Sequence, residues 1–122
     1  MINGSVLPKL SRIQKRFMDE ILSTLEKILE QRKLATADNS YVASLYSQGT
    51  DKILDKISEE SAEVIKAAKD EGKDKIIHEV ADLWFHTLVL LRHKNISVEE
   101  IESELARRFG ISGHEEKASR NK

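Results

Sequence analysis

Cysteine is absent from the 122 residues, which excludes a disulfide framework, a thiolate zinc site and a cysteine nucleophile. Proline occurs once, glycine five times, and aromatic residues make up 5% of the chain. An all-β fold needs more turn-forming and strand-forming residues than that. Charge of one sign is missing too, since Lys+Arg 20 against Asp+Glu 21 leaves a net charge of -1. A nucleic-acid module carries a clear basic excess, and a disordered chain has a one-signed polar composition. Neither description fits. No apolar run reaches the length of a membrane span, and the N-terminus lacks the basic-then-apolar layout of a signal peptide. The expectation is one soluble, cytoplasmic domain with neither nucleic acid nor membrane among its partners.

What is present is helical spacing. Pro8 suits the first turn of a helix, and Leu10, Ile13, Phe17, Ile21, Leu25 and Ile28 follow at three- or four-residue steps. An amphipathic helix to about Lys33 accounts for them. Ala35–Ser40 reads as a loop, with Thr36, Asp38, Asn39 and Ser40 able to bond the backbone locally. A short helix Tyr41–Gln48 stops at Gly49; Thr50 caps a helix of about Asp51–Glu71, followed by Gly72. Asp74 caps another, roughly Lys75–Lys94, ended by Asn95. Ser97 and Glu100 form a capping box for Val98–Phe109, with Gly110 after it. The rest, Ile111–Lys122, is a polar tail. The fold class is all-α: four main helices plus one short helix. Their apolar stripes are wider than one small copy covers, so the bundle is expected to be completed by oligomerisation.

The chemistry lies in the acids. Around the helix of Asp51–Glu71, at about 100° per residue, Glu60 falls between Ala67 and Ile53 inside the apolar arc, while Glu63 and Lys56 share its margin. On the next helix, Glu79, Asp82, His86 and His93 form a narrow polar stripe bounded by Leu83 and Leu90 on one side and Phe85 and Val89 on the other. Burying a carboxylate costs several kcal/mol unless a cation or donors compensate. A single E-x-x-E spacing is usually just a solvated helix face. Here two carboxylate pairs, Glu60/Glu63 and Glu79/Asp82, sit on successive helices separated by a glycine turn, and folding back brings them together. Four converging carboxylates repel one another unless a divalent cation sits among them. Oxygen ligands suit Mg²⁺, with Mn²⁺ as the alternative. A di-iron bundle carries Glu-x-x-His motifs, which these positions lack. The implied chemistry is metal-assisted attack on a phosphoanhydride.

This arrangement of E-x-x-E, fifteen residues and E-x-x-D resembles the all-α nucleoside triphosphate pyrophosphohydrolase superfamily, and within it the phosphoribosyl-ATP pyrophosphatases of histidine biosynthesis. The acidic motif carries the superfamily likeness. Ser40–Tyr41 and Glu116–Lys117–Ala118–Ser119–Arg120 carry the narrower one. The resemblance covers about Leu22 to Arg120 and departs mildly at Trp84–Phe85, where the family commonly has Leu-Tyr. It implies a domain over 22–120 behind an N-terminal extension of 1–21. It also implies Mg²⁺-dependent hydrolysis of phosphoribosyl-ATP to phosphoribosyl-AMP and pyrophosphate, by a homo-oligomer (a dimer or a dimer of dimers). Phosphoribosyl-AMP cyclohydrolase, the next pathway enzyme, is expected as a separate chain.

Glu60, Glu63, Glu79 and Asp82 are the expected metal ligands. Glu59, further toward solvent, is the candidate to orient or deprotonate the attacking water, unless it merely pairs with a lysine. Lys56 and, more weakly, Lys52 are candidate phosphate contacts, as are Lys117 and Arg120 on the tail. His86 is read as structural support within the acidic stripe, and His78 and His93 are given no role. Two other functions compete: a house-cleaning nucleoside triphosphate pyrophosphohydrolase, and a non-catalytic helical interaction module.

Overall fold

The computed structural model describes Arg12 and residues 20–109. The tail, Gly110 and most of the first helix's N-terminal half lie outside the described residues. Within them the chain forms α1 (Ile21–Gln31), a 3-10 turn at Arg32–Leu34, and α2 (Tyr41–Gln48). Then come α3 (Thr50–Asp70), α4 (Lys73–His93) and α5 (Val98–Phe109). The expected helices are all found there, and no described residue is in a strand.

Glycine sets the two tight joints. Gly49 has φ +92° and Gly72 has φ +130°, with ψ near 180° at both. Only glycine adopts that backbone cheaply. A Cβ there would meet nothing within 4 Å, so conformation and not crowding makes the demand. The same two glycines take the positions before α3 and α4, which corrects the expectation that Thr50 and Asp74 cap these helices. Neither side chain makes a capping bond. Thr50 is already the first helical residue and shares a 3.2 Å hydrogen bond with His93 Nε2. Asp74 lies in the first turn of α4, where its charge favours the positive end of the helix dipole.

Other caps follow the sequence reading. Ser40 Oγ accepts from Ala43 N–H at 3.1 Å. Ser97 N–H donates to Glu100 Oε2 at 2.8 Å while Glu100 N–H donates back to Ser97 Oγ at 3.1 Å. Asn95, with φ +58°, closes α4, and the Ile96 N–H reaches the Leu91 carbonyl at 2.8 Å.

Helices α3 and α4 make the most extensive contact among the described residues. The bond between Thr50, at the start of α3, and His93, at the end of α4, shows that they run antiparallel over their full lengths. Ile53 of α3 and Val89 of α4 are wholly buried in one core with Leu29, Val42, Leu45, Leu88 and Val98. Arg92 ties the end of α4 to α1 through Glu26 (3.4 Å) and Glu30 (3.1 Å), and Glu26 also accepts the Val98 N–H at 2.7 Å. This core occupies one end of the hairpin, leaving the acidic motifs toward the other.

Tyr46 reports on that packed end. Its hydroxyl donates to the Leu29 carbonyl at 2.9 Å and its ring stacks on His93 at 5.9 Å. Burial pushes the phenol up to about 12. A raised folded-state pKa means that the unfolded chain releases its proton first, so this contribution is fully present below about pH 10 and disappears as pH rises through about 12. Denaturation midpoints measured across that window are expected to fall for the wild type and to fall less for Tyr46→Phe.

Candidate metal centre and active site

The antiparallel register sets Glu60–Glu63 of α3 against Glu79–Asp82 of α4. Glu79 is only 5% exposed, and its carboxyl is held above the ordinary carboxylate range. Desolvation is the main cause, Lys75 opposes it, and the charges of Glu63 and Glu60 push the same way as burial. A buried acid pressed by two further acids from the facing helix is a site with surplus negative charge. Asp82 is half-buried, Glu60 likewise, and Glu63 is exposed.

One ligand atom each from His78, Glu79 and Asp82 lies within 4.8 Å of the others. His78 Nε2 stands 3.3 Å from Asp82 and 3.6 Å from Glu79. Of the four expected ligands, Glu79 and Asp82 are therefore gathered directly, with His78 beside them. Glu60 and Glu63 face them across the hairpin and act on Glu79 through charge. The part of His78 escaped the sequence reading, although its i,i+4 spacing to Asp82 on one helix was there to be used.

Cations flank the acids on α3. Lys56 Nζ pairs with Glu59 at 3.0 Å. That hydrogen bond, with the charges of Lys56, Lys52 and His86, holds the Glu59 carboxyl below its usual range, against some desolvation. Lys52 thus lies one turn behind, within electrostatic reach. Lys117 and Arg120 lie outside the described residues.

Behind the acids is a buried histidine. His86 is 6% exposed; its Nδ1 lies 2.8 Å from the Asp82 carbonyl and its Nε2 2.8 Å from the Tyr41 hydroxyl. Tyr41, the first residue of α2, thereby joins the site, and Lys56, Glu60, Glu59 and Asp82 all act on its phenol. No spacing rule connects α2 to the acidic helices, so the sequence offered only the Ser40–Tyr41 resemblance as a signal.

The family model described as phosphoribosyl-ATP pyrophosphohydrolase matches residues 22–109. A phosphoribosyl-ATP pyrophosphatase of Vesicomyosocius okutanii is 72% identical over 104 residues, covering 85% of this chain and 99% of the relative. Proteins of the same name from Hydrogenovibrio crunogenus and Methylococcus capsulatus are each 54% identical, over 108 and 101 residues. They match 85% and 83% of this chain, and 96% of their own lengths.

Proposed function

Because the chain belongs to the phosphoribosyl-ATP pyrophosphohydrolase family, we propose that its α3–α4 hairpin is the active site, with Glu60, Glu63, Glu79 and Asp82 binding Mg²⁺. The protein is an enzyme of histidine biosynthesis, hydrolysing phosphoribosyl-ATP to phosphoribosyl-AMP and pyrophosphate. The single observation that carries the metal site is Glu79, buried and pressed by Glu60 and Glu63.

The donor set fits the ion. Its carboxylate oxygens are hard ligands that suit Mg²⁺, and Mn²⁺ in its place. Held by Glu60, Glu63, Glu79 and Asp82, Mg²⁺ would supply the positive charge that offsets the negative charge of a phosphoanhydride substrate. The chain's own residues do the remainder. Lys56 and Lys52 offer ammonium groups to the substrate's phosphates, and Lys117 and Arg120 are proposed as further contacts. A phosphate that draws Lys56 away also dissolves its 3.0 Å pair with Glu59. Glu59 then loses the hydrogen bond that depresses its basicity and becomes a better acceptor for the attacking water's proton.

The assembly is proposed to be a homo-oligomer. A groove of about 440 Å³ runs between α1, α4 and α5, lined mainly by Leu22, Leu83, Trp84, Leu88, Leu91, Ile101 and Leu105. Trp84 is 58% exposed there. An apolar surface of this kind is unusual on a lone small domain, and a second copy is the proposed cover. The proposed setting is the cytoplasm, with phosphoribosyl-AMP cyclohydrolase taking the product as a separate chain. No helix of the described residues is long and apolar enough to cross a membrane.

Incubation with phosphoribosyl-ATP and Mg²⁺ is expected to release pyrophosphate and phosphoribosyl-AMP in equal amounts, and a chelator is expected to stop it. Faster turnover of ordinary nucleoside triphosphates in a substrate panel overturns the substrate and leaves the acidic chemistry standing.

A further inference from the structure

The scheme of four acids gives His78 no part, although its ring stands between two of them. His78 Nε2 lies 3.3 Å from Asp82 Oδ2 and 3.6 Å from Glu79 Oε1. One ligand atom from each of the three falls within 4.8 Å of the others. The helix accounts for this. His78 and Asp82 are one turn apart on α4, the i,i+4 spacing at which two side chains of a helix can share an ion. Glu79 is the neighbour of His78 in sequence. Two atoms bound to one ion at about 2.0–2.2 Å stand about 3.0–3.5 Å from each other. Both measured separations are close to those of a shared coordination shell.

The buried partner sets this cluster apart from an ordinary surface pair. The Glu79 side chain is only 6% exposed, and it makes no hydrogen bond among the described residues. Its one ion-pair contact there is His78, at 3.6 Å, beyond hydrogen-bond reach. A carboxylate so buried and without a donor is costly. Lys75 acts on it through charge alone, against the desolvation. Glu79 Oε1 is instead directed at the imidazole edge, where Asp82 Oδ2 also arrives. That edge is open, because the His78 side chain is 63% exposed and makes no hydrogen bond among the described residues. A cation can reach all three atoms from solvent.

We infer that His78 is a nitrogen ligand beside Glu79 and Asp82, and that it biases the site toward transition cations over Mg²⁺. The inference rests on the proposed reading that Glu79 and Asp82 hold the ion, and it adds the selectivity of that site. Carboxylates alone suit Mg²⁺ and Mn²⁺ alike, whereas an imidazole nitrogen favours first-row transition cations, with Co²⁺ bound more tightly than Mn²⁺. Mg²⁺ gains little from nitrogen, so an oxygen in place of His78 costs it little.

The experiment compares wild type with His78→Gln, using Mn²⁺ and Mg²⁺ alone as probes. The exposed position of His78 makes the substitution harmless to packing. Pulsed electron paramagnetic resonance of bound Mn²⁺ should show coupling to a directly coordinated nitrogen in wild type and none in His78→Gln. Mn²⁺ affinity is expected to fall about tenfold in the variant, as it does when metal-site histidine contacts are disturbed. Mg²⁺ affinity, read by competition against Mn²⁺, should stay within about twofold. A histidine that only pairs with Asp82 would instead move both ions alike. Bound Mn²⁺ without nitrogen coupling in wild type, coupling that persists in His78→Gln, or equal changes for the two ions overturns the inference alone. Wild type that binds neither ion saturably overturns the parent reading and this one together.

Discussion

Glu60→Gln lowers pyrophosphate release by roughly 10²- to 10³-fold, the loss typical when a charge-stabilising group is removed from a reacting centre, yet melts in chelator at or above the wild-type temperature. The two effects have opposite signs because the same charge does opposite things in two states. Without metal, Glu60 is one of two acids that crowd Glu79 from across the hairpin. Glutamine keeps the shape and removes repulsion inside a partly desolvated site. With Mg²⁺ present, the substitution deletes one of the proposed anionic ligands. Asp82→Asn is expected to behave alike in activity. Its only short ion pair among the described residues is with His78 at 3.3 Å, and an exposed pair of that kind contributes little. A scaffold acid gives the reverse pattern. Neutralising one member of an internal pair strands the other and costs about 3–5 kcal/mol. Melting in chelator and in Mg²⁺, beside turnover, separates the two behaviours.

Ile53→Ala is the substitution with the largest expected cost in stability, about 2–5 kcal/mol. Ile53 is fully buried in the core where α1, α2 and α4 meet α3, so truncation leaves a cavity that the surrounding helices only partly fill. A domain of this size has roughly 5–15 kcal/mol in total, and the denaturation midpoint should fall steeply with an unchanged slope. Glu60 lies seven residues further along the same face of α3, so the packing that fixes Ile53 against α4 also fixes the register of the acids. If the proposed site holds, millimolar Mg²⁺ is expected to recover part of the lost stability, since a ligand of the folded hairpin alone stabilises it against unfolding. Recovery by Mg²⁺ in Ile53→Ala but not in Ile53→Ala/Glu60→Gln is the expected comparison.

The helices were legible because their signals are local. A 3.6-residue apolar period, two glycines and a capping box need no knowledge of the rest of the chain, and α2 and α5 fall on the residues expected. The helix starts were less legible. Thr50 and Asp74 have good capping chemistry, but a glycine with positive φ stands beside one and two before the other, and backbone geometry took the cap position. Within the site, the antiparallel facing of the acidic pairs followed from one turn between two long helices. His78 was passed over because an exposed histidine on a polar edge looks like surface until Glu79 and Asp82 are seen around it. Tyr41 is a different case. It reaches His86 across 45 residues of sequence, and such a contact comes from tertiary packing, which no periodicity encodes.

Whether the hairpin acids bind a divalent cation is tested most directly by Mn²⁺ binding followed by electron paramagnetic resonance. Free Mn²⁺ gives a strong signal that fades on binding, so occupancy is read without any assay of turnover. Wild type should remove Mn²⁺ saturably, Mg²⁺ should compete for the same site, and Glu79→Gln should bind at least tenfold more weakly. Wild-type affinity retained in Glu79→Gln, or no saturable binding by the wild type, contradicts the account.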